Sequence, residues 1–259
     1  MGNTFRNIST IARKELRSYF TSPIAWVLMG FFALIFGWFY VNYLDYFVRM
    51  SMSGDMGGGM QAMNVNDRMI RPLLSNASVI VLFLLPMITM RTYSEEKRSG
   101  TIELLLTSPV TDVEIICGKF LGTFGLYIAL LGTTVLYLAI LFFYGNPEWK
   151  PLLAGYLGLA LMGGTFVSIG LFISSTTKSQ IVSGFATFAV LLLLWVINWM
   201  AESSGPTASA ILSYLSITQH FDDFARGIID TKHVVFYLSF ISFGLFLTLK
   251  SVDTERWRG

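Results

Sequence analysis

Six windows without Lys, Arg, Asp or Glu, at 18–44, 72–90, 120–147, 151–177, 179–201 and 233–249, constrain this chain more than any other feature. A helix rising 1.5 Å per residue needs about 20 apolar residues to cross a hydrocarbon core roughly 30 Å thick, and each window has about that length. Charged residues make up 13% of the 259, against about a quarter in soluble domains, and 54% are hydrophobic. The pattern predicts an all-α membrane protein with six transmembrane helices. A net charge of +2 gives no reason to expect a nucleic-acid partner. A seventh uncharged window, 203–221, is rich in Ser, Thr, Gly and Pro, too polar to face lipid throughout. Residues 202–231 are therefore read as a polar outer or re-entrant hairpin between spans five and six.

The first apolar block is too long for a signal-peptide core and lacks a small-residue cleavage site, so it is read as a span. With the N-terminus inside, the cytoplasmic segments hold 12 of the 18 Lys and Arg residues, which predicts two cytoplasmic termini. Residues 5–20 place Phe5, Ile8, Ala12, Leu16 and Tyr19 on one helical face and Arg6, Arg13, Lys14 and Arg17 on the adjoining one. This is an amphipathic interface helix suited to lie on anionic lipid, broken near Pro23 where the first span begins. Pro86 predicts a kink in span two, and glycines such as Gly118, Gly122 and Gly125 supply surfaces for close helix packing. The lone Cys117 excludes a disulfide within the chain.

The outer loop, 45–71, carries the Met- and Gly-rich run RMSMSGDMGGGMQAM, which has no helical or strand period and reads as a flexible linker. Thioethers favour Cu(I), but the loop lacks Cys and His, so no metal ligand set is assigned. No phosphate-binding G-x-x-x-x-G-K-[ST] run occurs, so the chain is not expected to bind ATP in that way. The span centres lack the Asp, Glu or Lys of an ion-coupled carrier. Glu95 and Glu96 could serve an intramembrane protease only with partners such as His. The two histidines, His220 and His233, are expected on the opposite side. No catalytic residue is assigned, and no cofactor is expected in this chain.

The few charges concentrate instead in 91–115, a cytoplasmic loop between spans two and three. After EEKRSG, Gly100 breaks the helix. The segment TIELLLTSP then places Ile102, Leu105 and Leu106 on one face, with Glu103 and Leu104 pointing away, until Pro109 ends it. Thr111 and Glu114 form a capping box that starts the next helix. A short helix held crosswise between two spans is suited to receive force from another protein.

The pattern E-x-x-x-G-T-x-E-x-L-x-x-[ST]-P-V, met by Glu96, Gly100, Thr101, Glu103, Leu105, Ser108, Pro109 and Val110, resembles the first cytoplasmic loop of ABC-2 type transporter permeases. ARKELRSYFTSPIAW resembles the interface helix of that family, and SNASVIVLFLLPMITMR points to its bacterial gliding-motility-type subgroup. The resemblance implies a dimerising permease on separate ATPase subunits that bind ATP and Mg, in a bacterial inner membrane. The loop would be the coupling helix, with Glu96, Arg98, Gly100, Thr101, Glu103 and Leu105 shaping the ATPase contact. An exposed Leu104 lies beside them, and Arg13, Lys14 and Glu15 are neighbours on the interface helix. Short outer loops and the Met/Gly run depart from better-studied exporters, so their substrates are not carried over.

Three functions follow from these features. The chain is a permease subunit of an ATP-driven complex, or a non-transporting subunit relaying ATPase work to an envelope partner. A channel or carrier working without ATP is disfavoured by the uncharged spans.

Overall fold

A computed structural model describes residues 2–53, 64–102, 110–145, 147–203 and 205–256. Helix α1 (Gly2–Thr21) precedes α2 (Pro23–Ser53); a π-helical turn, Asn66–Ile70, leads into α3 (Arg71–Thr89), followed by the short α4 (Ser94–Ser99). Then come α5 (Asp112–Tyr144), α6 (Trp149–Thr176), α7 (Gln180–Glu202), α8 (Pro206–Leu215), α9 (Ile217–Ala225) and α10 (Thr231–Arg256). Among the described residues there is no strand. The protein is all-helical, and among the described residues six helices are long and apolar enough to cross a membrane: α2, the stretch through α3 and α4, α5, α6, α7 and α10.

Two boundaries differ from the sequence reading. The first span runs to Ser53, taking the start of the expected 45–71 loop and the first five residues of its Met-rich run into helix. An Asp45–Arg49 pair at 2.8 Å, one helical turn apart, supports that extension, and the π-helical turn takes the loop's other end. The rest of the Met/Gly run, 54–63, lies outside the described residues. The polar segment before the last span forms two short helices, α8 and α9, meeting at Ser216, whose side chain caps α9.

Apolar side chains gain little by leaving lipid for one another, so the spans are held by close packing and internal hydrogen bonds. Helices α3 and α6 form the centre, and α2, α7 and α10 show apolar side chains such as Leu34, Phe185 and Phe243 outward. On α6, a Cβ at Gly163 would lie 2.0 Å from the Tyr127 ring, so only glycine admits α5 there. The Tyr127 hydroxyl donates to the Leu159 carbonyl at 2.7 Å, which satisfies a buried phenol. At one end of the bundle Arg71 of α3 reaches Asp222 of α9 at 2.8 Å. At the other end lie α1, α4 and the start of α5.

Candidate functional site

Helix α3 stops at Thr89, three residues after Pro86, and a turn over 90–93 redirects the chain into α4. Such a break frees backbone groups that must find partners away from water. Ser174 of α6 supplies most of them. Its hydroxyl accepts from the amides of Tyr93 and Ser94, both at 3.1 Å, and donates to the Met90 carbonyl at 3.1 Å. Ser94 returns a bond from its own hydroxyl to the Ser174 carbonyl at 3.2 Å. Tyr93, Ser94 and Ser174 are all fully buried.

Lys119 of α5 takes the remaining carbonyl. Its side chain is 2% exposed, and its ammonium donates to Thr92 O at 2.8 Å and to Glu96 Oε1 at 2.8 Å, with Glu15 Oε2 of α1 at 3.6 Å. The Tyr93 ring lies 4.9 Å from the ammonium and adds a cation–π contact. Burying an ammonium costs several kcal/mol, which two carboxylates and a carbonyl offset only in this geometry. One charge thus fastens α1, the α3–α4 turn, α4 and α5 together.

Helix α4 has a second buried cation. Lys97, with 3% of its side chain exposed, reaches Glu255 near the end of α10 at 2.7 Å. Arg91 pairs with Glu95 at 2.9 Å on the accessible side, an i,i+4 contact worth little by itself. Gly100 ends α4 at φ 73°, the left-handed conformation that favours glycine, so the break expected there is present.

Helix α1 is seated on α5 through two glycines. A Cβ at Gly118 would stand 2.6 Å from Ile11 Cβ, and one at Gly122 would stand 2.6 Å from Glu15 Cβ and 2.9 Å from Ala12 O. The contact uses Ile11, Ala12 and Leu16, whereas Phe5, expected on the apolar face, is 78% exposed. The apolar side of α1 is therefore occupied by protein along much of its length. The buried Tyr19 hydroxyl bridges Thr92 at 3.2 Å and Thr123 at 3.4 Å. Burial, with Glu15 adding its charge, holds this phenol well above its usual range, so it stays neutral. The capping box at Thr111 is present, and Glu114 also accepts from Asn7 of α1 at 3.3 Å.

The sequence-predicted residues divide into three groups. Arg98 on α4 and Gly100 and Thr101 just beyond it are exposed, and Arg13, Lys14 and Arg17 are exposed on the side of α1 away from α5. The last three border an open cavity of about 590 Å³. Glu15 and Glu96 turn inward to Lys119 instead, while Glu15, Glu96, Tyr19 and Arg91 line a cleft of about 370 Å³ between α1 and α4. Glu103, Leu104, Leu105 and Pro109 lie outside the described residues.

Lys119, Lys97, Glu255 and Ser174 were not singled out from the sequence. Lys119 carried a usable signal, since it sits one residue before a charge-free window, where an ionisable group is retained only with a partner. Ser174 carried none, because one serine in an apolar span looks like any other.

No curated protein matches the chain. The family model described as ABC-2 family transporter protein matches residues 9–249, from within α1 to near the end of α10. That match takes in both helices that flank the Lys119 knot and the turn it secures. This multi-pass membrane chain, a permease subunit of an ABC transporter, belongs to the ABC-2 transporter family.

Proposed function

We propose that the chain passes the movement of a separate ATPase to its spans through α1, α4 and the segment that follows α4. The observation that carries this reading is the knot around Lys119. It fastens α1, α4 and α5 to one ammonium, and the Lys97–Glu255 pair adds α10. A displacement imposed on α4 would reach α5 and α10 through buried ion pairs and α6 through Ser174. Exposed Arg13, Lys14 and Arg17 on α1, with Arg98 on α4 and Gly100 and Thr101 after it, offer the outward surface for the ATPase. Glu103, Leu104 and Leu105 would extend it.

In this reading both termini and the α1–α4 end face the cytoplasm of a bacterial cell, as the distribution of Lys and Arg favours. A second permease chain, identical or different, completes the membrane unit, and the ATPase holds ATP and Mg. The work done on the spans moves a solute. A complex that instead relays the work to an envelope partner would give ATP turnover without solute movement after reconstitution. Charge reversal at Arg13, Lys14 and Arg17, and separately Glu103→Lys, is expected to leave the chain in the membrane. Either change should release the ATPase or uncouple its ATP turnover. Unchanged co-purification and turnover in both variants would refute the assignment.

A further inference from the structure

At the end of the spans opposite α1 and α4, three hydrogen bonds run in series. His220 Nε2 lies 2.9 Å from the Tyr214 carbonyl oxygen, His220 Nδ1 lies 2.5 Å from His233 Nδ1, and His233 Nε2 lies 2.7 Å from Asp223 Oδ2. Their protons can be counted. A carbonyl oxygen only accepts, so His220 Nε2 carries hydrogen, and a carboxylate only accepts, so His233 Nε2 does too. Two neutral rings would then face each other with bare Nδ1 lone pairs, a repulsive arrangement at this separation. A third proton between the rings turns it into a hydrogen bond. The total is unchanged if the proton nearest Asp223 resides on the carboxyl. The group therefore holds one proton more than two neutral imidazoles and a carboxylate would.

The surroundings assign that proton to these residues alone. His220 and His233 are 6% and 4% exposed, and Phe236 stacks on His220 at 3.8 Å. Of the neighbouring carboxylates, Asp222 is taken by Arg71 and Arg226, and Asp230 by Lys232 at 3.0 Å. Asp223 is left to the histidines. The nearby Tyr237 hydroxyl is spent on the Ile217 carbonyl at 2.8 Å. Burial pushes His220 below the ordinary imidazole range, only partly opposed by its bond to Tyr214.

We propose that His220, His233 and Asp223 form a proton-binding site that latches α9 to the head of α10 and gives up its proton when that contact opens. His220 and Asp223 belong to α9 and His233 to the first turn of α10, so separating the two helices breaks the chain of bonds. A cavity of about 450 Å³, lined by all three residues, provides the water that receives the proton. The latch has a two-sided pH dependence. As pH rises, the shared proton leaves and one bond of the series is lost. As pH falls below the ordinary imidazole range toward the depressed His220 value, His220 charges, two imidazoliums face each other, and the latch is lost again. The inference stands whether or not the chain moves a solute.

The test uses the full chain in lipid nanodiscs with ¹⁵N-labelled histidine. Its two histidines are the whole signal, and His220→Gln assigns them. Near neutral pH three ring N–H groups are expected over the two residues, with the third lost in one transition that moves both sets of signals. Asp223→Asn should lower the midpoint of that shared transition by at least about one pH unit, because an opposite charge is removed. Two neutral rings near neutral pH, or two independent titrations, would overturn the site. Signals that change with a chelator and return with Zn²⁺ would overturn it too, by showing a metal in the proton's place.

Discussion

Replacing Lys119 with Met should loosen the α1 end of the bundle far more than the loss of one hydrophilic side chain would suggest. The variant leaves Glu15 and Glu96 facing each other without a counter-charge, and Thr92 O without a donor. Removing one partner of a buried ion pair costs about 3–5 kcal/mol. The two carboxylates keep 16% and 23% of their side-chain area exposed, which favours the lower limit, about 3 kcal/mol. At 1.4 kcal/mol per tenfold, local opening should rise about a hundredfold. Cys117, the chain's one thiol, is half-buried two residues away and reports that opening through its rate of labelling by a thiol-reactive dye. The triple variant Lys119→Met, Glu15→Gln, Glu96→Gln removes the charges together and should return the rate to within about tenfold of the native protein. A native rate in the single variant, or equal rates in single and triple variants, would refute the charge argument and leave only lost packing.

Two further expectations concern the neighbours of this knot. Ser174→Ala removes the acceptor of two buried amides and the donor to one carbonyl, at about 1–3 kcal/mol for each unsatisfied group. Hydrogen exchange at Tyr93 and Ser94 should accelerate by at least about tenfold while α2 is unaffected, and unchanged protection would refute the clasp. Gly122→Val sets branched carbon against Glu15 Cβ and Ala12 O and should lift α1 from α5 at about 1–3 kcal/mol. A spin-label distance between those helices detects the shift, with Gly132→Val, which meets nothing within 4 Å, as the silent control.

The six spans were legible because lipid leaves few options, and an uncharged run of about 20 residues has one common use. The caps were equally plain: Gly100 and the Thr111–Glu114 box act locally, through their own backbone, and appear where the sequence places them. The direction of a charge was not legible. Glu96 and Lys97 are adjacent in a run that reads as solvated, yet Glu96 pairs with Lys119 of α5, 23 residues away, and Lys97 with Glu255 of α10, 158 residues away. Partners at that separation are fixed by how α5 and α10 lean on α4, which no local pattern encodes. The pairing of His220 with His233 was hidden similarly: the sequence placed both on one side, but their bond depends on the turn after α9.

The distribution of buried charge sets the two ends of the protein apart. At the α1 end, both buried cations of α4 and its surroundings are lysines in the company of carboxylates. At the far end the buried cation is shared between imidazoles, the one side chain that exchanges its proton near neutrality. A knot of buried ion pairs is a stiff joint, which suits the end at which the proposed ATPase would act. The proposed latch loses one bond when its shared proton leaves, so its hold depends on pH. The same six helices thus carry a stiff joint and a releasable one, separated by the length of α6 and built from different cations.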